Sequence, residues 1–157
     1  MKINKIDIEL IHFFRRISIP FARISLFIVF FWFGFLKIIG FSPASELVQH
    51  LFEKTIPYMQ FSTFLIFFGA FECIIGILFL VEGFERIVIP FLFLHMITTI
   101  LPLFVLTGET WQTYFVPTME GQYIIKNLVL IAAAIVLAAH LHPLPKRRQR
   151  RAVDKSE

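Results

Sequence analysis

Each of four apolar stretches of this chain carries an ionisable side chain within it. Arg23 and Lys37 fall in residues 21–39, Glu72 in 61–81, His95 in 87–106 and Lys126 in 123–141. A carboxylate, an imidazole and ammonium groups at such positions can exchange protons, bind a polar headgroup or pair with one another. A charged side chain at the centre of a membrane segment costs ~2.5–3.5 kcal/mol on insertion scales, so each needs a partner or a purpose. The second stretch has the clearest pattern. Gly69, Glu72, Cys73 and Gly76 stand at i, i+3, i+4 and i+7 and share one helix face. Small residues let a neighbouring helix approach closely, so Glu72 faces another helix rather than lipid. It is then either neutral or paired with a cation.

Two cations are candidates. Lys37 and Lys126 each stand about 7 residues outward of the middle of their stretches, ~10 Å from the midplane at 1.5 Å per residue. A lysine stem can bend inward to Glu72 or snorkel outward to the headgroups, and both alternatives stay open. In the third stretch His95, Thr98, Thr99 and Pro102 form a stripe at i, i+3, i+4 and i+7, and His95 matches Glu72 in depth. A Glu–His pair relays protons, binds a headgroup or fixes packing by a hydrogen bond. The site candidates are therefore Lys37, Glu72, His95 and Lys126, with Thr98, Thr99 and Asn127 as secondary members. Arg23 reads as an anchor for the inner end of its span.

No nucleophilic triad, phosphate loop or nucleotide fingerprint is present, so no catalytic residue is assigned and the chain leans away from being an enzyme. His140-x-His142 lacks the i, i+4 spacing of a helical metal site, and no metal is expected. Cys73 is the one cysteine. It excludes an internal disulfide or a Cys-x-x-Cys pair, and with them an enzyme passing electrons from cysteines to a quinone. It reads as a small packing residue.

The elements that must carry these residues follow from length and hydropathy. Apolar runs of about 20 residues match the ~30 Å hydrocarbon core of a bilayer. The chain is 57% apolar with 21 Phe and has a mean hydropathy of +0.77, whereas soluble domains sit near ~45–50% apolar. Four spans and their short connections use nearly all of its 157 residues, so no soluble catalytic domain is expected. The expected fold is all-α: a polytopic membrane protein, a four-transmembrane-helix antiparallel bundle with short interfacial helices. Residues 1–19 read as an amphipathic segment, with Ile3, Ile6, Leu10, Phe13, Phe14 and Ile17 on one face, and Pro20 as a bend into the first span. Residues 20–142 hold the four spans. The first is too long for a signal peptide, whose apolar region is ~7–15 residues, and is expected to be retained.

Residues 43–54 read as a second interfacial helix, capped by Ser42 with Pro43 in its first turn and ended before Pro57. The short turn 82–86 makes the second and third spans an antiparallel hairpin. The loop 107–122 carries Trp111 and Tyr114, suited to the headgroup level, and Thr118 is placed to cap the fourth span.

Charge supplies an orientation. Residues 143–157 hold Lys146, Arg147, Arg148, Arg150, Arg151 and Lys155 against Asp154 and Glu157, which is the whole net charge of +4. Beside a membrane helix this basic tail reads as a topology signal that meets anionic lipid headgroups rather than nucleic acid. With Lys2, Lys5, Arg15, Arg16 and Arg86 on the same side, the positive-inside rule puts both termini in the cytoplasm. The expected location is a bacterial-type inner membrane.

The run Arg23-Ile24-Ser25-Leu26 into Phe31-Trp32-Phe33-Gly34-Phe35-Leu36-Lys37 resembles the first span of DoxX-family membrane proteins. Phe71-Glu72-Cys73-Ile74-Ile75-Gly76-Ile77-Leu78 is similar to their second span. Glu120-Gly121-Gln122-Tyr123-Ile124-Ile125-Lys126-Asn127-Leu128 is similar to the entry to their fourth. The likeness covers about residues 20–142. It implies a four-helix membrane bundle with Lys37, Glu72 and Lys126 in its polar core, and a small accessory subunit linked to quinone, respiratory or oxidative-stress chemistry. Quinone is the only cofactor it implies. The partners it implies are another membrane protein or further copies of the chain. A related group linked to reactive-chlorine resistance carries Tyr-Glu-Ala after its first span; here Gly40-Phe41-Ser42-Pro43 stands there instead. The alternative reading is a proton-coupled carrier or small-solute permeation unit built on Lys37, Glu72 and His95.

Overall fold

The computed structural model describes residues 2–56 and 58–141. The basic tail, His142 and Pro57 lie outside the described residues, and so do the roles assigned to them above. The chain is mostly helical. Four of its helical segments are long and apolar enough to cross a membrane: 5–38, Phe61–Leu80, Glu85–Val105 and Met119–Ala139. The last three begin and end within a few residues of the apolar stretches 61–81, 87–106 and 123–141.

The first differs. Helix α1 runs unbroken over Lys2–Ile38, with Pro20 inside it. Pro20 was expected to separate an interfacial helix from the span. Proline removes one N–H and crowds one carbonyl, a local cost of ~3 kcal/mol, while helical sequence on both sides propagates through it. At 1.5 Å per residue α1 is ~55 Å long, well beyond one bilayer core. Its apolar N-terminal residues Ile6, Leu10, Phe13 and Phe14 are exposed. The helix ends at a glycine: Gly40 adopts φ +78°, and the Gly40 and Phe41 amides donate to the carbonyls of Lys37 and Leu36. This double return needs a left-handed residue, which only glycine adopts without strain.

Helix α2, Ser45–Thr55, starts later than expected. Ala44 occupies its N-cap and no side chain caps it, so Ser42 and Pro43 precede the helix instead of opening it. Phe52 is its buried residue and packs at a tilt against the rings of Phe61 and Phe64. Helix α3 is Phe61–Leu80. A turn through Gly83 at φ +91° leads into α4, Glu85–Ile100. The short α5, Pro102–Val105, and α6, Thr107–Thr110, follow.

The loop beyond α6 contains a feature the sequence reading lacked. Strands β1, Trp111–Thr113, and β2, Val116–Pro117, pair antiparallel. Phe115 at φ +58° lies in the turn between them. Helix α7, Met119–Lys126, is capped as expected: the Thr118 hydroxyl accepts from the Gly121 amide. Helix α8, Leu128–Ala139, completes the span.

The long helices share one apolar core. Leu26 and Phe30 of α1, Ile75 and Phe79 of α3, Val88, Ile89, Leu92 and Met96 of α4, and Ala134 and Leu137 of α8 are buried together. The closest pair is α1 with α3. A Cβ on Gly34 would stand 2.6 Å from the Gly69 carbonyl oxygen, and one on Gly69 would stand 2.6 Å from the Gly34 oxygen. A Cβ on Gly76 would stand 2.8 Å from the Phe31 amide nitrogen. The small-residue face of α3 thus meets α1 backbone to backbone, with Cys73 beside it, its Sγ 3.6 Å from the Phe31 carbonyl.

At the opposite end of the long helices from the α3–α4 turn, α2 is tied to α6 by His50, whose Nδ1 lies 2.9 Å from a Glu109 carboxylate oxygen. The hydrogen bond to Glu109 is the main reason the His50 pKa rises above its ordinary 6.5; burial opposes it, and the charges of Glu109, Glu46 and Glu53 add to the rise. A histidine with a raised folded pKa stabilises below its unfolded value and loses that contribution as pH rises through the folded one. The docking of α2 is therefore expected to be firmer at pH 6 than at pH 8.5. Amide exchange over Ser45–Thr55 checks this: faster exchange at pH 8.5, after correction for intrinsic rates, with the difference abolished in His50→Gln.

Candidate functional site

Three of the four candidate polar residues converge. Lys37 lies on the α1 face that also carries Leu26, Phe30 and Gly34, each of them buried. Glu72 lies on the α3 face between Gly69 and Gly76, and His95 on the α4 face with Val88, Leu92 and Met96. Glycine-mediated approach of α1 to α3 brings Lys37 Nζ to 2.6 Å from Glu72 Oε2. The other carboxylate oxygen, Oε1, stands 3.2 Å from His95 Nε2. Glu72 therefore bridges a cation and an imidazole with separate oxygens. Residue exposures of 6% for Lys37, 4% for Glu72 and 3% for His95 put the whole centre out of contact with solvent. Of the two directions open to the Lys37 stem, the structure takes the inward one. The reason is geometric: its Cβ lies near Gly69, one turn from Glu72, so the ammonium reaches the carboxylate along the helix interface.

Aromatic rings enclose the centre. The His95 ring is 5.1 Å from Phe68, 5.4 Å from Phe30 and 6.2 Å from Phe71, centroid to centroid. Lys37 Nζ lies 5.5 Å from the Phe68 centroid, a cation–π distance. His95 Nδ1 is buried with no hydrogen-bond partner. The imidazole is thus held through one nitrogen while the other faces apolar surroundings.

Lys126 does not join them. It is exposed, and its Nζ lies 5.2 Å over the Tyr123 ring, an arrangement that suits the end of a span. The threonines do not extend the centre either. Thr98 Oγ1 donates to the His95 carbonyl at 2.7 Å and Thr99 Oγ1 to the Met96 carbonyl at 3.0 Å, so their protons are used within their own helix turn. Asn127 is half-buried at the junction of α7 and α8, where its carbonyl accepts from the Leu130 and Ile131 amides.

Arg23 is more than a lone anchor. Its Nη2 pairs with Glu85 Oε1, in the first turn of α4, where a carboxylate also suits the helix dipole. Arg23 and Lys37 are 14 residues apart in α1, so two ion pairs ~21 Å apart set the axial register of α1 against α3 and α4. Sequence reasoning missed three further parts of the centre. Gly34 is three residues before Lys37, Phe30 seven before it, and Phe68 four before Glu72. Helical spacing alone places them on the same faces, and that signal was available. The choice of Glu85 as partner for Arg23 needed the hairpin geometry.

Among the described residues no three of His, Cys, Asp and Glu group as metal ligands. No protein-family model matches the chain, and no curated protein or solved structure matches it. What the fold and site define is a helical protein with four membrane-length apolar helices and a buried Lys–Glu–His triad.

Proposed function

We propose that the chain is a small, non-catalytic membrane subunit in which Lys37, Glu72 and His95 form a proton-binding centre inside an antiparallel four-helix bundle. The carrying observation is the bridging carboxylate: Glu72 meets Lys37 and His95 with different oxygens, in a site closed to water. With His95 neutral the triad is uncharged; a proton on its imidazole makes a second charge-assisted contact to the same carboxylate. The centre can therefore hold one extra proton without any group losing its partner. Titratable residues at membrane depth are functional candidates by default. The likeness to DoxX-family sequences supports the accessory-subunit reading and names quinone-linked chemistry as the setting. Both termini face the cytoplasm by the distribution of basic residues, so a thiol reagent outside intact cells labels Gln112→Cys and spares Lys5→Cys.

A second reading is favoured by one observation. The unpartnered Nδ1 of His95 offers the imidazole a second port, so that a proton taken at one nitrogen could leave from the other. This is the geometry a proton-coupled carrier or permeation unit needs.

Purified full-length protein separates the two. In proteoliposomes carrying a pH gradient, proton flux that falls at least tenfold in Glu72→Gln supports the carrier. Absence of flux, with a quinone or membrane partner that co-purifies in mild detergent with the wild type and is lost in Glu72→Gln, supports the subunit. If Glu72→Gln folds and matches the wild type in both measurements, both readings fall and the triad is structural.

A further inference from the structure

An unbroken column of aromatic rings joins α2 to the buried triad. The Phe52 ring of α2 lies 4.8 Å from Phe64, Phe64 stacks on Phe68 at 5.5 Å, and Phe68 lies 5.1 Å from the His95 ring, all centroid to centroid. Lys37 Nζ stands 5.5 Å from the centroid of the same Phe68 ring. Phe64, Phe68 and Glu72 follow one another at i, i+4 and i+8, so they form one row along α3, about 6 Å per step. The column runs from α2 to the carboxylate and ends on the two side chains that meet it.

Helix α2 itself is lightly held. Phe52 is buried, and the other side chains of α2 are half-buried or exposed. Its polar ties lie at the surface. His50 and Glu109 of α6 have side chains 43% and 41% exposed, and Lys54 Nζ reaches the Val105 carbonyl of α5 at 3.5 Å. On the N-terminal side of α2, a Cβ on Gly40 would meet nothing within 4 Å. On its C-terminal side, residues 58–60 are exposed. An element with one buried anchor, exposed ties and loosely packed connections is among the first to open, and lids are drawn from such elements.

We propose that α2 is a lid on water's route to the Lys37–Glu72–His95 triad, with Phe52 as its plug and the His50–Glu109 contact as its latch. Closed, the lid completes the ring column and keeps the triad dry. Open, it withdraws Phe52 from Phe64 and lets water reach Phe68 and the imidazole behind it. The lid regulates the proton-binding centre proposed above and rests on that reading for its purpose, though not for its geometry. The charged groups around the latch are Glu109 on α6 and Glu46, Glu53 and Lys54 on α2 itself; α5 and the first turn of α3, which also pack against α2, carry none. Protonated His50 makes a charge-assisted contact to Glu109. Its raised pKa, due first to the Glu109 hydrogen bond, keeps the latch made in mild acid and loosens it as pH rises through the folded value.

The test reads water at the triad directly. Deuterium exchange at the imidazole Cε1–H of His95 is followed by mass spectrometry in the full chain in lipid nanodiscs, with exposed His12 as the internal reference. Phe52→Ala is expected to speed His95 exchange by about tenfold or more, since it removes the one buried anchor of α2. His50→Ala, at a half-exposed position, is expected to speed it about threefold at pH 6 and less at pH 8.5, where the latch is already loose. Exchange at His12 should not change in either variant. Should Phe52→Ala also speed amide exchange over Phe61–Leu80, it has loosened more than the lid, and His50→Ala decides the matter. His95 exchange at the wild-type rate in His50→Ala at pH 6 overturns the latch, and the wild-type rate in Phe52→Ala overturns the lid. Faster exchange in both variants, beside a Glu72→Gln protein unchanged in proton flux and partner retention, keeps the lid and removes the proton-binding reading. Unchanged exchange beside flux lost in Glu72→Gln does the reverse.

Discussion

Glu72→Ala is expected to destabilise the folded protein by about 3–5 kcal/mol, the range for removing one partner of a buried ion pair. The loss is large because two groups depend on the one carboxylate. Lys37 would be left as a buried ammonium, and His95, already unpartnered at Nδ1, would lose its contact at Nε2 as well. The change should appear as a lower unfolding midpoint in detergent and a smaller folded fraction on size exclusion. The double variant Lys37→Met/Glu72→Leu is expected to recover most of the loss, since replacing a buried pair by apolar residues of similar size is often neutral or stabilising by about 1–4 kcal/mol. That pair of results separates structure from function. A double variant that folds normally and yet has lost proton flux or partner retention shows that the triad is kept for its chemistry. A Glu72→Ala protein as stable as the wild type would show that the ion pair does not hold the helices together.

The second large effect is at the glycine contact. Gly69→Val is expected to cost at least the 1–3 kcal/mol typical of overpacking a core. The added Cβ meets the Gly34 carbonyl at 2.6 Å and the Lys37 Cβ at 2.9 Å. A backbone oxygen cannot rotate away as a side-chain tip can, so α1 and α3 must separate by most of an ångström. That separation also stretches the Lys37–Glu72 contact. Gly69→Val and Glu72→Gln are therefore expected to be non-additive, with a double-mutant coupling of at least 0.5 kcal/mol. Gly108→Ala is the matching control, because a Cβ there has nothing within 4 Å and stability should not change. Additive losses at Gly69 and Glu72 would mean that the glycine contact and the ion pair act independently.

Much of this architecture was legible along the chain because the bilayer is a demanding solvent. In a bilayer, uninterrupted apolar runs must be helical to satisfy their backbone, and helices long and apolar enough to cross one stand at Phe61–Leu80, Glu85–Val105 and Met119–Ala139. Helical spacing likewise puts Glu72 on the small-residue face of α3, and Thr118 at a helix start is a local hydrogen-bonding preference. Pro20 misled because a proline's cost is local, whereas the continuation of α1 is decided by the residues on both sides of it. The β1–β2 hairpin was invisible for a related reason: its five strand residues are too few to show a period.

The polar residues divide along the same line. Residue type and depth nominated Lys37, Glu72, His95 and Lys126 without saying which of them meet, since spacing within one helix carries no information about which faces of different helices pack together. Tertiary packing made the selection. The reciprocal fit of Gly34 and Gly69 draws α1 onto α3 and turns Lys37 inward to Glu72. His95 arrives from α4 at the other oxygen, and Lys126 is left over Tyr123 at the surface. The same packing joined Arg23 to Glu85 across the short α3–α4 turn. The apolar runs alone determined that the chain has membrane-length helices; only the way those helices pack decided which of their charges share a site, because that depends on close approach between residues far apart in the chain.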